Sequence, residues 1–323
     1  LGFGEDAERS IEIDPRTVDE DYLHGLVDLG FNRISMGVQD LDPDVMRAVN
    51  RPQSVTTIEA VVRAVRSRGS IPLTMDLIYG LPEQTVSTWR STLERIVGLR
   101  PDRLAVYGYA HVPWMKRYHA TLDRYERPDD SLRATLALMA RETLEMAGYR
   151  RIGFDHFALP DDELSLAVEA GTLHRNFMGY TTRRGLDLVA MGVSGISAVN
   201  GTYTQNLKDV ESWAGAIEQG STPWLRGLLL SVDDELRREI ILDLTCNFFL
   251  PFEPLERAFG IDARTALAPE IGRLQDMERD GLLEIGEIGI RVTDLGKPFI
   301  RNICMVFDTY LGANDSQRFS RTS

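Results

Sequence analysis

Glu12 stands between Ile11 and Ile13, Gln39 follows Val38, and Asp76 lies inside the apolar run from Leu73 to Tyr79. Side chains of an extended chain alternate between faces, so if the two isoleucines meet a hydrophobic layer, Glu12 points the other way. The carboxylate of Asp76, set among apolar neighbours, costs several kcal/mol of desolvation unless something satisfies it. A ribose diol or a cation would serve. Arg51, between Asn50 and Pro52, is one such cation, with a plain turn arginine as the alternative. Gln39 likewise has a turn or capping role as its alternative. Polar residues ending strand-like segments are where a parallel βα barrel keeps its chemistry.

A second group of chemically capable residues lies in the run His174-Arg175-Asn176-Phe177-Met178-Gly179-Tyr180-Thr181-Thr182, followed by Met191-Gly192-Val193-Ser194-Gly195-Ile196-Ser197. Loops of this Gly-punctuated, polar and aromatic kind concentrate function. Arg175, Arg183 and Arg184 could bind carboxylates bidentately, or be solvated loop arginines. His156 and His174 could donate hydrogen bonds to a carboxylate or be structural; their spacing does not match a metal site.

The elements that must position these residues alternate. Short β-rich runs at Ser10 to Ile13, Arg33 to Val38, Leu73 to Ile78 and Arg103 to Tyr109 are separated by helical patterns, which predicts a parallel sheet. Thr17-Val18-Asp19-Glu20 has the form of a capping box, ahead of the stripe Leu23, Leu26, Leu29 that Gly30 closes. Ser54 precedes a helix with Ile58, Val61, Val62 and Val65 on one side, and Thr85 precedes one with Trp89, Leu93, Ile96 and Val97. Four such units do not close a barrel, and a strand at residue 10 would leave an unpaired edge, so a further segment is expected in front of Leu1. Beyond Pro113 the alternation stops. A helix opens at Pro128-Asp129-Asp130-Ser131, loops and short strands fill 151 to 200, and residues 232 to 310 read as helical with a two-strand wing at Gly281 to Val292. The expectation is thus an α/β chain: an incomplete parallel βα barrel over 1–115, a connecting helix and covering loops over 116–200, a mostly helical part with a winged-helix-like end over 201–312, and a disordered tail over 313–323.

Composition excludes several classes of function. The 323 residues are 43% hydrophobic and 26% charged, as in ordinary globular proteins. No apolar run is long enough to span a bilayer, and no signal pattern opens the chain, so a cytoplasmic location is expected. A formal net charge of -13 opposes binding to phosphate backbones. The wing invites a DNA-binding reading, but residues 262–280 carry five acids against three arginines, the wrong sign for a groove-reading helix. The only cysteines, Cys246 and Cys304, lie far apart in apolar segments and read as buried thiols.

Taken in order, Glu12-Ile13-Asp14-Pro15, Arg33 to Asp40, Asn50-Arg51, Met75 to Pro82 and His174 to Thr182 resemble the oxygen-independent coproporphyrinogen III oxidases, radical S-adenosylmethionine enzymes of haem synthesis. The resemblance runs from Ile11 to Leu311. It implies a radical S-adenosylmethionine barrel with a 4Fe-4S cluster held by a CxxxCxxC loop, which this sequence lacks, so the cluster ligands are expected in a region ahead of Leu1 and the chain as given is expected to be inactive. It implies two molecules of S-adenosylmethionine, with Glu12 and Ile196 lining the one on the cluster and Gln39, Arg51, Asp76 and Ala110 around the second. Phe177 and Met178 match positions near the second cofactor or the substrate, where relatives often carry Gln in place of Met178; Arg175 is a candidate for a substrate carboxylate.

The implied reaction is decarboxylation of two propionates of coproporphyrinogen III by a 5′-deoxyadenosyl radical, giving the vinyl groups of protoporphyrinogen IX without oxygen. An electron donor, an electron acceptor and a monomeric assembly go with it. Two alternatives stay open. A haem chaperone of the same superfamily is one, although its relatives carry an HNxxYW-type motif where this chain reads His174-Arg175-Asn176-Phe177-Met178-Gly179. An inactive module that binds tetrapyrrole or nucleoside is the other.

Overall fold

The computed structural model describes residues 2–4 and 6–311, so the tail expected to be disordered lies outside the described residues. The chain divides into two compact units, one running to Ser165 and the other from Leu166.

The first unit is a twisted open sheet with helices on one face. Its elements are β1 (Ser10–Ile13), α1 (Glu20–Asp28), β2 (Arg33–Gln39), α2 (Pro43–Ala48), α3 (Val55–Ser67), β3 (Leu73–Tyr79), α4 (Val86–Leu99), β4 (Arg103–Gly108), α5 (Asp130–Met146), β5 (Arg150–Ile152) and β6 (His156–Ala158). The strand order is β1-β2-β3-β4-β6-β5, parallel through β4 and antiparallel after it. The four strands expected from sequence are all present, and the antiparallel pair β5–β6 extends the sheet beyond them.

The hydrophobic layer explains the register. Ile34, Met36 and Val38 of β2 and Leu73, Met75 and Leu77 of β3 are fully buried. They pack with Ile58, Val61 and Val65 of α3 and with Trp89, Leu93 and Ile96 of α4. The alternate residues Ser35, Gly37, Thr74 and Asp76 therefore fall on the opposite face, since one residue's step along a strand reverses the side chain. Trp89 also donates its indole N–H to the Leu136 carbonyl at 3.0 Å, which fixes α5 against α4.

Three local features correct or sharpen the sequence reading. Ser54 and Thr85 cap α3 and α4 as expected, Thr85 reciprocally with Thr88. The cap of α1 is Asp19, which accepts from the Tyr22 N–H at 2.8 Å, while the Thr17 hydroxyl turns back to the Asp14 carbonyl. Asp is as good a cap as Thr, and here it stands directly before the first helical turn. The short helix α2, capped by Asp42 and opened by Pro43, was not anticipated, because six residues are too few for a periodic pattern to emerge.

The second unit carries α6 (Glu163–Glu169), which begins just before the division, then β7 (His174–Asn176), β8 (Gly179–Thr181), β9 (Ile196–Val199), β10 (Thr202–Asn206), α7 (Val210–Glu218), β11 (Trp224–Leu229), α8 (Val232–Asn247), β12 (Phe249–Pro251), α9 (Phe252–Phe259), α10 (Ala263–Ala266), α11 (Ala268–Arg279), β13 (Leu283–Ile285), β14 (Gly289–Val292) and α12 (Ile300–Met305). The wing strands β13 and β14 lie where expected. Phe249 to Pro251 adds a third strand to them from a stretch read as helical, and β9, β10 and β11 form a second antiparallel sheet. Among the described residues, no helix is long and apolar enough to cross a membrane.

Candidate functional site

The open face of the first sheet carries a row of small and polar residues set by strand register. Gly37 of β2, Asp76 of β3, Ala105 of β4 and His156 of β6 are paired in sequence across four strands. Glu12 pairs with Ser35 and Ser35 with Thr74, two residues nearer the strand starts. Ile11 and Ile13 do pack toward the core, so Glu12 faces away from the helices, where it is exposed.

Asp76 is largely enclosed, yet its carboxylate makes no hydrogen bond or ion pair with any described residue. Burial raises its pKa from 3.8 to about 6; Glu12 adds to the rise and His156 opposes it. Of the two kinds of partner open to Asp76, hydroxyl donors or a cation such as Arg51, the fold does not supply the second. Arg51 donates from Nη2 to the Gly37 carbonyl at 2.8 Å and meets Asp14 at 3.2 Å. The chain between β2 and α3 is turned by α2, which lays Arg51 back over Gly37 instead of across to β3. Asp14 is held down to about 2, first by its hydrogen bond from Arg16 and further by Arg51. Arg51 Nε, although buried, has no hydrogen-bond partner among the described residues.

Gln39 ends β2 with a φ of 69°, a left-handed conformation that costs a non-glycine residue energy unless its surroundings enforce it. Gln53 supplies the enforcement by donating to the carbonyls on either side, those of Val38 and Asp40. Asp40 is wholly buried and binds Thr92 Oγ1 and Gln84 Nε2, each at 2.6 Å, while Gln84 accepts from the Gly80 N–H. The loops that leave β2 and β3 are thereby clamped to each other. Burial pushes the Asp40 carboxyl up from its ordinary pKa, against the pull of these donors. Ala110 is exposed in the loop after β4, next to Tyr109, whose N–H bonds the Tyr79 carbonyl at 2.8 Å.

Gly37 has a spatial reason to be glycine. A Cβ there would lie 2.7 Å from Gln39 Nε2 and 3.2 Å from Arg51 Nη2. Both are ends of flexible side chains, so Gly37→Ala is expected to change stability by less than about 1 kcal/mol while displacing Gln39 and Arg51, the two groups expected from sequence to contact a cofactor. Urea denaturation beside a cofactor titration separates the two effects, and an affinity loss of several-fold with an unchanged midpoint is the expected pattern.

Sequence reasoning missed Gly37 on this face and the buried Asp40 that braces its loops. Both sit within a motif already singled out, but nothing in the sequence tells which strand-end residues turn to which side. His156 is oriented by the buried Asp155, Nδ1 to Oδ1 2.6 Å, and stands edge-on to Tyr107.

In the second unit, Arg175 lies on β7, and Phe177 and Met178 form the turn to β8, both exposed. Arg175 and Phe177 line a cavity of about 490 Å³ within that unit. Met178 and Ile196, the first residue of β9, do not line it. Cys246 and Cys304 are both buried, and burial drives each thiol up to about 12.

Residues 3–96 match the model of the radical SAM superfamily, and residues 230–299 match that of the HemN C-terminal domain. The chain is 43% identical over 311 residues to the oxygen-independent coproporphyrinogen III oxidase of Pseudomonas aeruginosa, covering 96% of this chain and 68% of that relative. It is 44% identical over 326 residues to the Escherichia coli oxidase of the same name, covering 99% of this chain and 70% of the relative. For the Thermostichus vulcanus oxidase the figures are 41% over 317 residues, with 98% of each chain covered. Among solved structures, that of the Escherichia coli coproporphyrinogen III oxidase (HemN), a radical SAM enzyme, superposes with a TM-score of 0.91 at 42% identity, over 96% of this chain and 71% of that one. With this extent of identity and a shared fold, the chain belongs to the oxygen-independent coproporphyrinogen III oxidase family of radical S-adenosylmethionine enzymes.

Proposed function

We infer that the chain functions in the oxygen-independent oxidative decarboxylation of coproporphyrinogen III to protoporphyrinogen IX in haem synthesis, with S-adenosylmethionine held on the open face of the first sheet. The observation that carries the cofactor placement is Asp76, an enclosed carboxylate with no protein partner among the described residues. Such a group asks for hydroxyl donors, and a ribose diol offers two.

In this reading Gln39, Arg51, Asp76 and Ala110 surround a second S-adenosylmethionine, and Glu12 and Ile196 belong to the first. When bound, the cofactor supplies the hydrogen-abstracting chemistry of the family. The protein's own residues bind and orient. Asp76 accepts from hydroxyls; Arg51, through its bond to the Gly37 carbonyl, fixes the floor of the site and presents Nε; Gly37 leaves the space that a side chain would fill. Each propionate loses carbon dioxide, one hydrogen atom and one electron to become a vinyl group, so an electron donor and an acceptor complete the reading, along with a monomeric, cytoplasmic protein. Phe177, Met178 and Arg175 are assigned to the substrate.

The iron–sulfur cluster of the family does not fit the thiols of this chain. The irons of such a cluster are held by several cysteine thiolates, whereas Cys246 and Cys304 are two buried thiols whose pKa burial drives up to about 12. No step is assigned to them.

Calorimetric titration with S-adenosylmethionine tests the reading. Saturable binding that S-adenosylhomocysteine competes away is expected; no binding, or competition by methionine alone with no effect of the nucleoside, would contradict it.

A further inference from the structure

The cavity of the second unit lies between the β7–β8 hairpin, the β9–β10 strands and α8. Its polar lining is unusual for so acidic a chain. Arg175, Arg184 and Arg238 face it against two carboxylates, Asp187 and Glu239, although the whole sequence carries a net charge of -13. Glu239 serves two of the guanidinium groups at once, Arg184 at 2.8 Å and Arg238 at 3.4 Å. Arg238 also bonds the Tyr203 side chain; with five N–H donors apiece, both guanidinium groups can still take a further carboxylate. The remaining wall is apolar and accessible. Phe177 packs edge-to-face on Tyr203 with centroids 5.2 Å apart, and Leu186 and Val199 are exposed beside them. Exposed apolar side chains gathered at a concave, cationic place mark a binding site for an amphipathic anion.

We propose that this cavity binds one carboxylate-bearing edge of a tetrapyrrole, with Arg184 and Arg238 as the carboxylate anchors and Phe177 and Tyr203 as the wall against the ring. The assignment rests on the function inferred above, which supplies a substrate of four pyrroles joined by methylene bridges, apolar in its ring and carrying carboxylate arms. It also separates the loop arginines. Arg184 faces the cavity and Arg183 does not, and the helix residue Arg238 joins from a part of the sequence that carries no loop motif.

Fluorescence titration of the whole chain with coproporphyrin III, an oxidised and stable tetracarboxylate, tests the proposal beside the same porphyrin as its tetramethyl ester. The side chain of Arg184 is 60% exposed, so Arg184→Gln removes an anchor without threatening the fold. Arg184→Gln and Arg238→Gln are each expected to weaken the acid about tenfold or more and leave the ester unchanged, whereas Tyr203→Ala weakens both. S-adenosylmethionine affinity, read on the same variants, is expected to stay at the wild-type value and so reports an intact first unit. Equal binding of acid and ester by the wild-type chain, no porphyrin binding at all, or unchanged acid binding in both arginine variants overturns the cavity assignment. If the porphyrin and S-adenosylmethionine both still bind, the inferred function stands and only the cavity is reassigned; if S-adenosylmethionine alone binds, the cofactor placement stands and the substrate reading falls with the cavity; if neither ligand binds, both readings fall.

Discussion

Asp76→Asn is expected to weaken S-adenosylmethionine binding by about 10- to 100-fold, because hydrogen bonds to a charged acceptor contribute about 1.5 to 3 kcal/mol. The same substitution should stabilise the free protein at alkaline pH. In the folded chain the carboxyl titrates at about 6, above its ordinary 3.8. Between those values the folded state holds a proton that the unfolded chain has released, so stability falls as pH rises through that window and the deficit persists above it. At roughly 1.4 kcal/mol per pH unit, and with the group partly reached by water, the deficit is on the order of 2 kcal/mol. Asn carries no charge to bury. The variant should therefore melt higher than wild type at pH 8 and alike at pH 4. A variant that binds the cofactor normally, or that melts lower at pH 8, would show that the carboxylate has a protein partner after all.

Arg51→Ala removes the donor to the Gly37 carbonyl and one of two cations at Asp14, and an affinity loss of about tenfold is expected. Asp14 keeps Arg16, so its depressed pKa should largely remain. The pH dependence that Asp76 imposes should be untouched, because Arg51 does not pair with it. In Asp76→Asn/Arg51→Ala the two stability changes should add within about 0.5 kcal/mol. A coupling above about 1 kcal/mol, measured by denaturant unfolding of the four proteins, would restore the direct pair that the sequence alone suggested.

That contrast shows what the sequence carried and what it did not. The strands at Arg33 and Leu73 were legible because apolar residues at every second position have one favourable arrangement, with a helix layer on one side. The same alternation put Glu12 and Asp76 on the open face. It also told that Asp76 lacks an apolar home, which the raised pKa expresses. Its neighbours were not legible. Whether Arg51 reaches β3 or folds back over β2 depends on α2, a helix too short to leave a period, and on the Asp42 cap that starts it. His156 comes beside Asp76 only because β6 pairs antiparallel with β4, a contact between residues about fifty positions apart. The three loop arginines could not be ranked by type or spacing. Arg238, inside the charged start of α8, could not be told from a solvated helix residue until the β7–β8 hairpin was placed against that helix.

The central claim is that the open face of the first sheet, at Gly37 to Asp40 and Asp76 to Gly80, is where S-adenosylmethionine sits. Hydrogen exchange of the whole chain, followed by mass spectrometry with and without saturating S-adenosylmethionine, tests it directly. Backbone amides of those two segments and of the Asn50-Arg51 turn should exchange more slowly with the cofactor present, and at a cofactor concentration equal to the wild-type Kd Asp76→Asn should reduce the difference about fivefold or more. Protection confined to other segments, or equal protection in wild type and Asp76→Asn, would contradict the account.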